Sequence, residues 1–153
     1  MEEKAATKTA HPAPADDQLT ASFWEACQHG SLMMTHCRDC GHYFLPPGPC
    51  CPRCWSSYID QHAASGRGQV VTYTVYRHGY HPAIPPPYVV AVIELDEGPR
   101  MVSNVTGLDP DAVRTGMRVQ LVFEQAGDRK IPRFEPTIGG TTGTSEASTG
   151  KKT

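Results

Sequence analysis

Strand-like patterns of apolar and polar residues fill the second half of the chain. Five runs there are rich in the β-branched and aromatic residues that favour strands: GQVVTYTVYRHG, PYVVAVIELDEG, RMVSNVTG, MRVQLVFEQ and, more weakly, IPRFEP. In the first run, β-branched or aromatic residues occupy both faces of the predicted strand, as in a closed barrel or a covered sheet. The pattern therefore predicts a five-stranded β-domain over residues 65–138.

The connections between these runs indicate the order of the strands. Asp96-Glu97-Gly98 predicts a tight hairpin between the second and third strands. After the third strand, Asp109 is expected to cap a single helical turn that starts at Pro110. Five antiparallel strands with a helical turn after the third are typical of an oligonucleotide/oligosaccharide-binding (OB) barrel, with an SH3-like barrel as the alternative.

A short helical pattern comes before the strands, within residues 17–30. The apolar residues on one face are Leu19, Phe23, Trp24 and Cys27. Helix-capping residue types begin the segment at Asp17, and Gly30 ends it. We predict a helix from Leu19 to His29, which is too short to be stable without something to pack against.

Four cysteines between the helix and the β-domain form two Cys-x-x-Cys turns, which are separated by ten residues: Cys37, Cys40, Cys51 and Cys54. Two such turns, brought together by a hairpin, supply the four thiolates of a tetrahedral zinc site. We therefore predict one structural Zn²⁺ in a small zinc ribbon over residues 31–64. Iron fits the same thiolates, but Trp55 stands where a rubredoxin turn usually has glycine.

Other residues near these turns offer alternative assignments. Cys50 precedes Cys51 and would displace it as a ligand, although Cys51 restores the Cys-x-x-Cys spacing. His36 and His42 flank the first turn and are alternative ligands. Cys27, on the predicted helix, is a packed side chain or, as the less favoured alternative, a nucleophile.

Composition and charge narrow the function classes. A net charge of −2 gives no field that would hold a polyanion, so nucleic acid is disfavoured as a partner. No segment approaches the roughly 20 apolar residues that cross a membrane. Six cysteines without an export signal indicate reduced thiols and a cytoplasmic protein. The polar ends, residues 1–16 and 139–153, are predicted to be disordered tails.

Motifs of enzymatic catalysis are missing from the sequence. It has no phosphate-binding glycine loop, no G-x-S-x-G turn and no H-E-x-x-H helix, and a closed four-cysteine site leaves no position for substrate. We predict no catalytic residue. The proline-rich loop from His78 to Pro87 carries Tyr80 and His81, which either form a binding group or pack the loop itself.

Together these motifs resemble domain-of-unknown-function family 35, from about Phe23 to Pro136. The resemblance rests on FWEA, CRDCG and CPRC with PP between them, SGRGQVVTYTV, PYVVAVIELDEG, GM-x-V and PRFEP. The doubled Cys50-Cys51 departs from the family pattern. The resemblance implies a mainly β fold with an N-terminal helix, a rubredoxin-like zinc ribbon and a five-stranded OB-fold barrel associated with acyl-CoA.

The resemblance also implies a function. Family members are non-catalytic accessory subunits of thiolase-like enzymes, namely thiolases, retro-aldolases or acyltransferases, in lipid or aromatic acid metabolism. Here we expect a hetero-oligomer in which the partner holds the catalytic residues and this chain supports the acyl-CoA channel. Phe23, Trp24, Tyr80 and His81 are candidate contacts to the partner or to acyl-CoA; packing of the helix on its own chain is the alternative for the first two. The alternative function is a stand-alone OB-fold module that binds acyl-CoA or single-stranded nucleic acid.

Overall fold

The computed structural model describes Pro12 and residues 17–137, so the predicted tails lie outside the described residues apart from Pro12. Its elements are α1 (Ala21–Gln28), β1 (Met33–Cys37), β2 (Tyr43–Phe44), β3 (Ile59–Ala63), β4 (Arg67–Tyr76), β5 (Tyr88–Leu95), β6 (Arg100–Val105), a 3₁₀ turn (Pro110–Ala112), β7 (Arg118–Ala126) and β8 (Arg129–Pro136). The mainly β prediction is confirmed. In the part of the chain that the structure describes, no helix combines the length and the apolar character needed to span a bilayer.

The last five strands close into a barrel in the order β4-β5-β6-β8-β7. This is the strand order of an OB-fold rather than of the SH3-like alternative. Neighbouring strands are antiparallel except β6 and β8, which pair in parallel at Val105 and Phe134. The expectation of five antiparallel strands is therefore wrong at this closure. Strand direction must reverse an even number of times around a closed ring, so a five-stranded barrel needs a parallel pair.

A β-bulge in β4 explains why its sequence looks apolar on both faces. The register with β5 shifts between Val70 and Thr72. Val70 is buried before the bulge, whereas Tyr73 and Val75 pack against the core after it. A bulge adds one residue and so transfers the inward face from one set of alternating positions to the other. Thr72 is exposed, so the strand is covered on one face only.

The helix is shorter than the sequence predicts at its start. The Asp17 carboxylate accepts hydrogen bonds from the Thr20 backbone N–H at 2.7 Å and from the Thr20 hydroxyl at 2.9 Å, which makes a separate turn ahead of α1. Gly30 ends the segment with a φ of +78°, as expected. Phe23 and Cys27 are buried in the same core as the barrel. Leu19 is 54% exposed and does not belong to the buried face.

The zinc ribbon is a three-stranded antiparallel sheet in the order β2-β1-β3. Leu32 and Met34 from this part of the chain lie in the barrel core beside Phe23. The Ala64 N–H donates to the Leu32 carbonyl at 2.8 Å, just where the chain leaves the ribbon for the barrel. Because helix, ribbon and barrel share one core, the division of the chain at residues 64 and 65 stays a prediction.

We expect Gly68→Ala to destabilise the barrel. A Cβ at Gly68 would lie 2.5 Å from the Glu94 carbonyl oxygen and 3.1 Å from Ile93 Cγ2, so β4 and β5 would have to move apart. Such overpacking lowers the free energy of unfolding by about 2 kcal/mol, which corresponds to a fall in Tm of several degrees. Thermal unfolding followed by circular dichroism measures it. Gly48→Ala is the control, since its Cβ would meet atoms no closer than 3.8 Å; equal Tm values for the two variants would contradict the close approach.

Candidate metal centre

The two Cys-x-x-Cys turns have the same backbone geometry. In the first, the Gly41 N–H donates to the Cys37 carbonyl at 2.8 Å. In the second, the Trp55 N–H donates to the Cys51 carbonyl at 2.9 Å. The first turn follows directly on β1, whose last residue is Cys37, and the second precedes β3. The paired strands therefore bring the two turns face to face.

The sulfur atoms of the predicted ligand set converge. All four Sγ atoms of Cys37, Cys40, Cys51 and Cys54 lie within 4.8 Å of one another. The Sγ–Sγ distance is 3.5 Å between Cys37 and Cys54 and 3.6 Å between Cys40 and Cys51. A zinc tetrahedron with Zn–S bonds of about 2.3 Å has edges of about 3.8 Å. The donor set thus fits one Zn²⁺, and four thiolates complete its coordination, as in structural sites.

The alternative ligands lie outside this cluster. Cys50 is half-buried and is not among the converging sulfurs. The His36 imidazole faces Asp60, with 2.9 Å between its Nδ1 and Oδ1 of the carboxylate. The ring of His42 stacks near Phe44, with 6.1 Å between the centroids. The geometry therefore favours the four-cysteine set with Cys51.

Cys27 is not suited to nucleophilic catalysis. Its side chain is buried in the core among Phe23 and Leu32. Burial disfavours the thiolate and raises the pKa of the Cys27 thiol to about 11. The packed-side-chain interpretation of Cys27 agrees with this environment.

A second feature is an apolar groove of about 480 Å³ on the surface. It lies where three parts of the chain meet, and its lining includes Phe23 and Trp24 from α1, Leu45, Pro46 and Pro47 from the ribbon, Met101 and Val102 from β6, and Ile131, Pro132 and Arg133 from β8. The rings of Phe23 and Trp24 pack edge to face with centroids 4.9 Å apart. Val102 is 68% exposed. We call this surface the groove.

Two arginines border the groove, and both are engaged by carboxylates. Arg100 Nε donates to Glu94 Oε2 at 2.7 Å, and Arg133 Nε donates to Glu124 Oε2 at 3.2 Å. Arg133 also donates to the side-chain oxygen of Asn104. With these charges paired, the surface that the groove presents is chiefly apolar.

The four candidate contact residues fall into two places. Phe23 and Trp24 line the groove, whereas Tyr80 and His81 belong to the proline-rich loop and do not line it. Tyr80 is 81% exposed. His81 Nδ1 accepts from the Ala83 N–H at 3.2 Å, so part of this loop is held by its own contacts. Sequence patterns missed the β6 and β8 residues of the groove because the fold collects them from distant segments.

Trp55 is an exposed aromatic side chain in a backbone conformation that suits glycine. Its φ is +63°, close to the +69° of Gly41 at the same place in the first turn. A left-handed conformation at a residue with a Cβ costs about 1–2 kcal/mol. Trp55 is 78% exposed, so contacts among the described residues do not explain why tryptophan is used there.

Comparison with known proteins identifies both structural parts. The family described as "ChsH2, rubredoxin-like zinc ribbon domain" matches residues 24–58, and the one described as "ChsH2, C-terminal OB-fold domain" matches residues 61–124. Together with the converging sulfurs, the first match establishes one structural zinc as the cofactor.

Relatives of two kinds are similar to the chain. It is 34% identical over 102 residues to a DUF35 domain-containing scaffold protein of Pyrococcus furiosus, covering 62% of this chain and 67% of that one. It is 41% identical over 132 residues to a probable enoyl-CoA hydratase alpha subunit of Thermomonospora curvata, covering 86% of this chain and 41% of the relative. For the 3-oxo-4,17-pregnadiene-20-carboxyl-CoA hydratase alpha subunit of Mycobacterium tuberculosis the identity is 32%, covering 80% of this chain and 39% of the relative. The chain therefore spans less than half the length of these two hydratase subunits.

Solved structures agree with the fold. A chain of the "Ltp2-ChsH2(DUF35) aldolase" matches with a TM-score of 0.75 and 42% identity, over 81% of this chain and 98% of that one. A DUF35 protein of unknown function from Sulfolobus solfataricus matches with a TM-score of 0.59 over 78% of this chain and 86% of that one; at 16% identity it supports the fold alone. The chain belongs to the DUF35 family.

We expect Cys51→Ser to abolish zinc binding and Cys50→Ser to preserve it. The two cysteines are neighbours, but only the Cys51 sulfur lies in the four-sulfur cluster. When purified without added zinc, the wild-type chain should hold one zinc per chain by elemental mass spectrometry, and the Cys51 variant close to none. Because the binding energy of a structural zinc is folding energy, the ribbon of the Cys51 variant should also unfold. Loss of zinc in the Cys50 variant, or its retention in the Cys51 variant, would refute the ligand set.

Proposed function

We propose that this DUF35 protein is a non-catalytic accessory subunit that docks on an enzyme acting on acyl-CoA thioesters and helps to form its acyl-CoA channel. The partner class that we favour is a thiolase-like enzyme: a thiolase, a retro-aldolase or an acyltransferase. The assembly is then a hetero-oligomer, and the partner carries the catalytic residues.

The observation that carries this proposal is the open apolar groove between helix, ribbon and barrel. Exposed apolar concave surfaces are stabilised when a partner protein or a ligand covers them. Trp24 and Val102 both line the groove; Trp24 is half-buried and Val102 is 68% exposed. The groove is large enough for the aromatic or aliphatic anchors that dominate protein interfaces.

The metal centre and Cys27 support a non-catalytic role. Four thiolates leave the zinc no open position for water or substrate. The Cys27 thiol is buried and protonated at neutral pH. The hydratase alpha subunits extend well beyond the segment that this chain matches, so their activity need not lie in that segment. These features favour a supporting subunit over an enzyme.

The relatives support the choice of partner. One similar chain belongs to a complex described as an aldolase with two named components, and several relatives are described as scaffold proteins.

We propose Trp24, backed by Phe23, and the loop residues Tyr80 and His81 as contacts to the partner or to acyl-CoA. Because the ribbon (31–64) and the barrel (65–138) share a core, we propose that they dock together as one body. Reduced zinc thiolates suit a cytoplasmic location.

The experiment that tests the function is affinity purification of the tagged chain from its native host, with mass spectrometry of the bound proteins. We expect a thiolase-like enzyme in stoichiometric amount. If the zinc-loaded chain emerges alone and binds acyl-CoA or single-stranded nucleic acid, the stand-alone OB-fold module is the correct function.

Val102→Glu should weaken this association, because a carboxylate in the groove would have to be desolvated against apolar atoms. We expect at least a tenfold increase in the Kd for the purified partner, with an unchanged Tm because Val102 is largely exposed. Ala112→Glu is the charge-matched control, since Ala112 is exposed on the 3₁₀ turn and does not line the groove. Equal affinities for the two variants would remove the groove from the interface.

The Trp55→Gly variant tests whether the exposed indole contributes to partner binding rather than to the stability of the chain. Glycine adopts the positive φ of this position without strain, so we expect full zinc content and a Tm equal to or above that of the wild type. If the exposed indole anchors the partner, the Kd should rise about tenfold. A lower Tm would show instead that the indole stabilises the fold of the chain itself.

A further inference from the structure

A second group of metal-ligating side chains lies on the ribbon sheet, outside the cysteine centre. His36 on β1 is the direct cross-strand partner of Asp60 on β3. His62 is two residues farther along β3 and so faces the same side of the sheet as Asp60. The alternation of side chains along β1 places Cys37 on the opposite side from His36. The group is therefore separate from the four sulfurs.

Three potential ligand atoms of this group converge. His36 Nδ1 lies 2.9 Å from Asp60 Oδ1, and His62 Nε2 lies 3.3 Å from the same oxygen. The potential ligand atoms of the three residues all lie within 4.8 Å of one another. The side chains of His36 and Asp60 are 21% and 25% exposed, which leaves a route for an ion from solvent.

Outer contacts orient two of these side chains. Arg38 Nε donates to Asp60 Oδ2 at 2.8 Å. The other carboxylate oxygen, Oδ1, therefore faces the two imidazoles. The Tyr43 hydroxyl lies 3.3 Å from His62 Nδ1, which directs His62 Nε2 toward the centre of the group. Hydrogen-bonded carboxylates and imidazoles of this kind are typical around metal ligands.

We propose that His36, Asp60 and His62 bind a second divalent ion, a transition metal of the zinc class, on this face of the ribbon. The proposal goes beyond the accessory function and does not depend on it.

The distances and donor types fit this class of ion. With metal–ligand bonds of about 2.0–2.2 Å, neighbouring ligand atoms lie about 3.0 Å apart in an octahedron and about 3.4 Å apart in a tetrahedron. The two N–O separations, 2.9 Å and 3.3 Å, are close to this range. Two imidazoles and one carboxylate suit zinc, cobalt or nickel, whereas magnesium and calcium prefer oxygen ligands. Three protein ligands leave the remaining positions to water.

Metal binding requires each imidazole to present the lone pair of one ring nitrogen to the ion. Without an ion, a ring N–H of each histidine donates to Asp60 Oδ1. With the ion, these two nitrogens coordinate through their lone pairs, and each ring proton is carried by the other nitrogen. For His62 that nitrogen is Nδ1, which then donates to the Tyr43 hydroxyl. Metal ligation of this kind takes place with both imidazoles in the neutral form.

The charges around the group are one carboxylate that attracts a cation, Asp60, and one guanidinium that repels it, Arg38. The hydrogen bond from Arg38, followed by that from His36, lowers the pKa of Asp60 to about 2, so the carboxylate is ionised at neutral pH. The Arg38 guanidinium opposes an incoming cation, but its side chain is 50% exposed and its charge is screened by solvent. Imidazole coordination must therefore supply much of the affinity.

The test is a metal count on the full chain already loaded with its ribbon zinc. Equilibrium dialysis against micromolar Zn²⁺, followed by elemental mass spectrometry, should give two zinc ions per chain for the wild type and one for His62→Ala. His78→Ala, which removes an exposed histidine outside the group, should still give two. Tyr43→Phe should weaken the second ion about tenfold through the lost outer contact. The retained ribbon zinc shows that each variant is folded.

A cobalt titration of the zinc-loaded chain gives an independent readout. Co²⁺ held by nitrogen and oxygen lacks the intense thiolate-to-cobalt absorption of a cysteine site, so the wild type should show weak visible bands that are absent from His62→Ala. One zinc per wild-type chain after dialysis, or equal metal content in the His62 and His78 variants, would overturn the proposal. Thiolate-to-cobalt absorption as the only signal would overturn it as well, because the ion would then have entered the cysteine site.

Discussion

The four zinc–thiolate bonds are the interaction on which the rest of this structure depends. The ribbon's own apolar cluster consists of Cys37, Phe44 and Cys51 with Cys40 and Ile59 beside it, and three of these five residues belong to the four-sulfur cluster. Such a cluster buries too little surface to order the long turns between β1, β2 and β3. The metal supplies the missing folding energy. With the two turns fixed, β1 is held in a defined position against the barrel core.

The position of β1 then joins the ribbon to the barrel. Leu32 and Met34 enter the barrel core beside Phe23, so helix, ribbon and barrel cannot move independently without exposing buried apolar surface. This arrangement leaves the Leu45-Pro46-Pro47 segment facing β6 and β8 across the groove. A rigid metal site on one side and a closed barrel on the other thus hold an apolar surface open, which is the property that a docking subunit needs.

Local patterns were informative wherever one segment of chain decided the outcome. The cysteine spacing indicated the metal and its ligands, because two Cys-x-x-Cys turns carry the geometry within themselves. The five strand patterns, the Asp96–Gly98 hairpin and the turn capped by Asp109 are all present. The start of α1 was wrong by two residues because Asp17 forms its own turn with Thr20. The two-sided apolar pattern of β4 was misleading because a bulge at Val70 and Thr72 changes which face is inside.

The sequence by itself determined the zinc ribbon, the β-rich barrel and, through its combined motifs, the family. Only the tertiary structure decided which surface Phe23 and Trp24 pack against, since an apolar helical face does not show whether its own chain or a partner covers it. The same holds for the groove and for the group of His36, Asp60 and His62. The groove combines α1, the Leu45-Pro46-Pro47 segment, β6 and β8, and the histidine group combines β1 and β3. Their meeting depends on the packing of helix and ribbon on the barrel and on strand register rather than on any local pattern.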